Sequence, residues 1–157
     1  MSMSFDLQSA REVFDDFLLC MDDQIEGLQR EAFSHGVALD LTDASIERLE
    51  ALFDVAVPLS APTDVQRGHL VAFGRYLGEV MRLNHQGRWH LPLDDQKNIY
   101  FNQPVIMGHR PDAVLFAPIS VMRAYAVRRK AGTVSAAFRN HAAPTAKPLD
   151  ISDLAEG

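Results

Sequence analysis

Gly74-Arg75-Tyr76-Leu77-Gly78-Glu79, followed shortly by Gly87-Arg88-Trp89, is the stretch whose reading decides the fold. It lies within one long amphipathic run opened by Thr63-Asp64-Val65-Gln66, a capping signature. Val65, Ala72, Phe73, Tyr76, Leu77, Val80 and Met81 recur at helical spacing and predict a helix over about 64–85. Gly74 and Gly78 each cost about 1 kcal/mol relative to alanine inside such a helix. A neighbouring main chain, passing too close for any side chain, would offset that cost. Arg75, Glu79 and Arg82 read as a solvated ion-pair ladder on the opposite side. Asn84-His85-Gln86-Gly87 closes the helix, with Gly87 suited to a left-handed terminal residue. The rod then turns into a strand that begins with Trp89, the only tryptophan. Gly74, Gly78, Gly87 and Trp89 are therefore the structural residues of this reading.

Towards the N-terminus, Ser9-Ala10-Arg11-Glu12 reads as a capping box. Phe14, Phe17, Leu18, Met21, Ile25 and Leu28 then predict one amphipathic helix over 9–33, ended near Gly36. A second helix starts at the Thr42 cap, with Leu41 and Ile46 spaced as a hydrophobic staple. Its buried stripe is Ile46, Leu49, Leu52, Phe53 and Ala56, and Pro58 stops it. Towards the C-terminus, Trp89 and Leu91 face one way in a short strand, and the β-formers of Asn98–Met107 suggest its hairpin partner across the loop Leu93–Lys97. Pro104 makes that partner an edge strand or breaks it. Pro118 opens a helix with Ile119, Met122, Tyr125 and Ala126 on one face and Arg128, Arg129 and Lys130 in its last turn. Gly132 ends it, and Thr133 caps a short final helix.

Residues 1–141 thus read as a single α+β domain: N-terminal helices packed on a small antiparallel β-sheet, with one or two C-terminal helices. Residues 142–157 read as a disordered tail, in which the apolar-acidic Leu149–Leu154 is an untidy end rather than a docking peptide.

The 157 residues are 47% apolar and 23% charged, ordinary for a globular chain able to bury its own core. One cysteine, Cys20, leaves no internal disulfide and suits a reducing compartment. The first residues lack a signal-peptide pattern, and no apolar run approaches the roughly 18 residues of a membrane span. The expected location is the cytoplasm, without a membrane partner. Residues 1–56 hold 13 acidic and 3 basic side chains, and residues 57–157 hold 8 and 12. Such asymmetry suits either mutual packing of the two parts or the docking of a basic protein partner. A pI near 5.4 and the shortness of Arg128-Arg129-Lys130 argue against nucleic acid.

Catalytic signatures are lacking. The six histidines show no metal-type spacing and there is no cysteine pair, so neither a metal nor any other cofactor is expected. Cys20, between Leu19 and Met21, reads as a small buried hydrophobe. No nucleophile elbow, P-loop or dinucleotide-binding turn occurs, and Asp94-Asp95 reads as a turn. The leading expectation is a non-enzymatic protein-binding domain that presents Asp15, Asp16, Asp22, Asp23 and Glu26 to a basic partner. The alternative is a small-molecule binding domain or hydrolase with its site at the hairpin mouth, around Trp89, His90, Asp94, Tyr100 and His109. A third is a structural homodimer formed through the apolar face around Tyr76.

With its Tyr76-Leu77-Gly78-Glu79 helix, its Gly87-Arg88-Trp89 strand start and its Pro118-led helix, the chain resembles small uncharacterised bacterial proteins, domains of unknown function. The resemblance covers about residues 63–130. It implies the α+β fold just described and an immunity-like or adaptor role, and it transfers no catalytic residue.

Overall fold

Helix α4, Thr63–His85, is the axis of the structure, and every residue from Phe73 to Met81 is buried. A helix buried all round needs neighbours on every side. Here they are supplied by α2 (Met21–Ser34), α5 (Pro118–Arg128), α6 (Thr133–Ala142) and the strands β1 (Arg88–His90) and β2 (Val105–Met107). The structure, a computed structural model, describes residues 5–142. The segment beyond 142, with Leu149–Leu154, lies outside the described residues, while Ala142 closes α6. The fold is α+β, 62% helical with one two-stranded antiparallel sheet. No helix among the described residues is long and apolar enough to cross a membrane.

The two glycines of α4 meet different neighbours. A Cβ on Gly74 would lie 3.0 Å from the Cα and 3.2 Å from the N of Ile119, so here the main chain of α5 does press against the helix. At Gly78 the neighbours are side chains instead: the Trp89 ring, with Cζ2 at 2.6 Å, and Pro118 Cγ at 3.1 Å. Gly87 is required for space rather than for handedness. A Cβ there would meet Ile106 Cγ2 at 2.5 Å and His109 Cβ at 3.3 Å, whereas Gln86 carries the left-handed conformation, φ 62°.

The expected helix over 9–33 is two helices. α1 spans Leu7–Leu19 and α2 begins at Met21, with Cys20 between them at φ −87°, ψ 3°. Asp6, not Ser9, caps α1: its carboxylate accepts from the Ser9 backbone N–H at 3.2 Å and the Ser9 hydroxyl at 3.0 Å. Thr42 does cap its helix, accepting from Ser45 N at 3.2 Å, but the chain first makes a 3-10 turn, Asp43–Arg48, before α3, Leu49–Ala56. Leu41 before it holds a left-handed φ of 63°, pinned by its N–H donating to Tyr76 Oη at 2.8 Å. At α4 the cap position falls on Pro62, without a side-chain bond, and Thr63 is already helical.

The strands are shorter than their β-formers suggested. Trp89 faces Ile106 and His90 faces Val105, and Ile106 also bridges Phe116. Asn98–Gln103 instead forms turns, with Phe101 N donating to Asn98 O and Gln103 N to Tyr100 O, and Ile99 is 82% exposed. Pro104 supplies no N–H, so pairing can start only beyond it. Pro118 occupies the first turn of α5 as its chemistry favours. α6 is capped from a distance: Glu50 of α3 accepts from Gly132 N at 2.9 Å and Val134 N at 2.8 Å, supplying the carboxylate that a helix N-terminus favours. Thr133 instead donates its hydroxyl to Lys130 O.

Gly74→Ala should destabilise the protein by about 1–3 kcal/mol, because the main chain of Ile119 has little room to retreat. Gly68→Ala, in the same helix with nothing within 4 Å of the added Cβ, should stabilise it by about 0.4–1 kcal/mol. Urea unfolding of the two variants measures both signs, and equal effects would contradict the close approach.

Candidate functional site

Two of the three members of the ladder expected on the open side of α4 are buried, while the Arg82 side chain remains 39% exposed. Arg75 is 8% exposed and Glu79 is 5% exposed, covered by α1 and by Trp89. Glu79 is fully engaged: Oε2 accepts from Trp89 Nε1 at 2.8 Å, and both oxygens accept from Arg82, each at 2.8 Å. Trp89 in turn stands edge-on to Phe17 with ring centroids 5.0 Å apart. The Arg75 guanidinium lies 3.9 Å over the Phe17 ring, and Nη1 donates to the Phe17 carbonyl. That carbonyl belongs to the last turn of α1, where helical acceptors lack intrahelical partners. The remaining guanidinium nitrogens have no hydrogen-bond partner among the described residues, yet none is sealed from solvent. No carboxylate lies within salt-bridge distance of Arg75 among the described residues. Burial pushes its pKa below the ordinary arginine value, opposite in sign to Arg82, whose bond to Glu79 raises it.

Arg75 lines a cleft of about 720 Å³ between α1, the connection 91–104 and the exposed flank of α4. Its walls are chiefly apolar: Val13, Phe14 and Phe17 from α1, Leu91 and Pro104 from the connection, and Val71 and Ile119 from α4 and α5. Asp6, Asp16 and Cys20 also line it. The volume and the apolar character are those of small-molecule sites. Cys20, expected to be buried, is an exposed thiol, because the helix break turns it outward.

The residues singled out from the sequence fall into separate places. Asp15, Asp16, Asp22, Asp23 and Glu26 are all exposed, divided between α1 and α2, and none forms an ion pair among the described residues. The hairpin-mouth set does not converge. Trp89 points into the core against Gly78, His90 pairs with Val105, and Asp94 and Tyr100 sit in the connection at the closed end of the hairpin. His109 lies at the opposite end, beside Gly87 and α6. Tyr76 is wholly buried within its own chain, its hydroxyl sharing a 2.7 Å bond with Ser45, so its face offers nothing to a second copy. No group of three metal-ligating side chains forms among the described residues.

Two further polar clusters carry no signal in the sequence. Tyr125 donates to both oxygens of Asp54, at 2.8 and 2.9 Å, and Arg129 joins them at 3.1 Å. Burial, reinforced by Asp54, pushes the Tyr125 hydroxyl up to about 12. At the far end, His109 Nε2 and His141 Nδ1 meet at 3.1 Å, and His109 Nδ1 is buried without a partner. Burial, then the neighbouring His141 and Arg110, lowers the His109 pKa to about 4, and burial followed by Arg110 lowers that of His141. Nothing in the spacing of His109 and His141, 32 residues apart, announces this pair.

Because both histidines are held neutral, their contribution to stability is complete above the ordinary imidazole pKa of about 6.5 and is lost as pH falls towards 4. The urea midpoint should therefore drop between pH 7 and pH 5, and a His109→Phe, His141→Phe double variant should lose most of that drop. An unchanged slope in the double variant would assign the pH dependence elsewhere.

Comparison with known proteins adds no assignment: no family model, no curated protein and no solved structure matches this chain.

Proposed function

We propose that this protein is a non-enzymatic binding domain whose recognition site is the cleft beneath α1. The observation that carries the reading is the coincidence of an open apolar cleft of about 720 Å³ with a buried arginine at its wall that has no acid partner among the described residues. Apolar surface left open to water is a standing cost of about 25 cal/mol per Å², and a guest removes it. The clustered polar groups do not assemble a nucleophile with a base: Glu79 is held by Trp89 and Arg82, and Cys20 has no histidine bonded to it. Small-molecule binding is on this reading a property of the cleft rather than of the hairpin mouth around Trp89, His90, Asp94, Tyr100 and His109.

Protein recognition, the immunity-like or adaptor reading, is supported by one observation of its own. Asp15, Asp16, Asp22, Asp23 and Glu26 present carboxylates that no cation of the described chain neutralises. An uncompensated acidic surface steers a basic partner and favours its encounter.

Titration of the protein with the neutral dye Nile red, followed through methyl resonances, should give saturable shifts at Val13, Val71 and Leu91. Shifts confined to other residues, or none, would remove the cleft as the site. For the second reading, affinity capture from a bacterial lysate should retain a basic protein on the wild type and lose it on a D15K, D16K, D22K variant. Equal retention on both would contradict recognition through that face.

A further inference from the structure

We propose that the guest of the cleft is an amphipathic anion, a carboxylate carried on a linear apolar chain, and that Arg75 is the group that anchors its head. This rests on the cleft being the binding site, and it adds the chemistry that the site selects.

Taking a cation out of water is expensive unless it is paired and hydrogen-bonded. Arg75 is 8% exposed, yet only Nη1 has a hydrogen-bond partner, a neutral carbonyl, and the face of the group rests on the Phe17 ring. Those contacts compensate one edge and one face of a group with five N–H donors in a planar fork. Glu79, one turn further along α4, would be the natural counter-charge. It is instead committed to Trp89 Nε1 and to Arg82. An apolar side chain at position 75 would fill the same space without that penalty. Arg75 lines the cleft and its unused donors are not sealed from solvent, so a carboxylate held there can be met by two parallel N–H bonds.

The rest of the lining defines what the head must be attached to. Beside the neutral polar Ser9, Gln24 and Asn102, the lining residues Val13, Phe14, Leu91, Pro104 and Ile119 offer no charge and no side-chain hydrogen-bond donor. A sugar or nucleotide would strand its hydroxyls against them, whereas a hydrocarbon chain loses nothing. Asp6 and Asp16 also line the cleft and oppose an anion. Asp16 is exposed on α1, where solvent screens it, and Asp6 is already occupied in capping Ser9. Their presence disfavours multiply charged anions and leaves the single carboxylate.

Isothermal titration below the micelle concentration, with decanoate, decanol and decyltrimethylammonium as probes, tests the assignment. The wild type should bind decanoate about tenfold more tightly than decanol, the size of one charge-assisted pair, and the cationic probe most weakly. In Arg75→Gln, which keeps a donor for the Phe17 carbonyl, decanoate should fall to the affinity of decanol while decanol is unchanged. The comparison of probes on the wild type stands whether or not that variant folds. Equal binding of decanoate and decanol by the wild type would overturn the anchor and leave the cleft as an apolar site. A decanoate preference that survives in a folded Arg75→Gln would overturn the role of Arg75. If none of the three binds, both the anchor and the cleft as a recognition site fail.

Discussion

The structure depends on the close approach of α5 and Trp89 to one side of α4. Two positions without side chains let the first turn of α5 come within van der Waals distance of the α4 backbone at Gly74 and let an indole ring lie across Gly78. Each glycine costs about 1 kcal/mol in helix propensity. The dispersion and burial gained by the largest core side chains around it, Tyr76, Tyr125, Phe73 and Met122 among them, is the offsetting term. Once this side is closed, α1 with Trp89 covers the flank carrying Arg75 and Glu79, and α2 and α6 pack elsewhere on the helix.

That second covering explains why polar chemistry sits inside the molecule at all. Glu79 is trapped next to Trp89 and becomes its hydrogen-bond acceptor, which fixes the indole over Gly78. Arg75 is trapped next to the end of α1 and satisfies its last turn. The same contact ties the position of α1 to α4, so the wall of the cleft and the cation at its edge are set by one interaction. Fold and candidate site are in this sense the same piece of packing, and the hairpin contributes a wall through Leu91 and Pro104 rather than a mouth.

Much of the architecture was legible in the residues because the signals are local. Thr42 before an apolar stripe, Pro118 at a first helical turn and the glycine pair inside an amphipathic run each have one dominant physical reading, and each element is where that reading puts it. The break at Cys20 is not legible, since Phe17, Met21, Ile25 and Leu28 keep helical spacing straight through it and the contacts of Phe17 with Arg75 and Trp89 are tertiary. Ile99, Tyr100 and Phe101 suggested a strand by composition, but strand formation needs a partner with free donors and acceptors, which begins only after Pro104. Arg75 stands in the deciding stretch, yet its sequence pattern points to solvent, because charge at three- and four-residue spacing is the usual mark of an outer face. Only the tertiary arrangement reveals that this helix has none between Phe73 and Met81. The acidic residues of α1 and α2 kept their predicted exposure, while the pairing of His109 with His141 needed the return of α6 to the sheet.

Native-state hydrogen exchange of the α4 amides tests the central packing most directly. With both flanks of the helix covered, the amides of residues 73–81 should exchange only through global unfolding, at a free energy equal to that from urea unfolding and matched by the hydrogen-bonded amides of α5, which begin at Val121. Exchange of residues 73–81 through a local opening well below the global value would contradict the sealed helix, and with it the buried setting of Arg75.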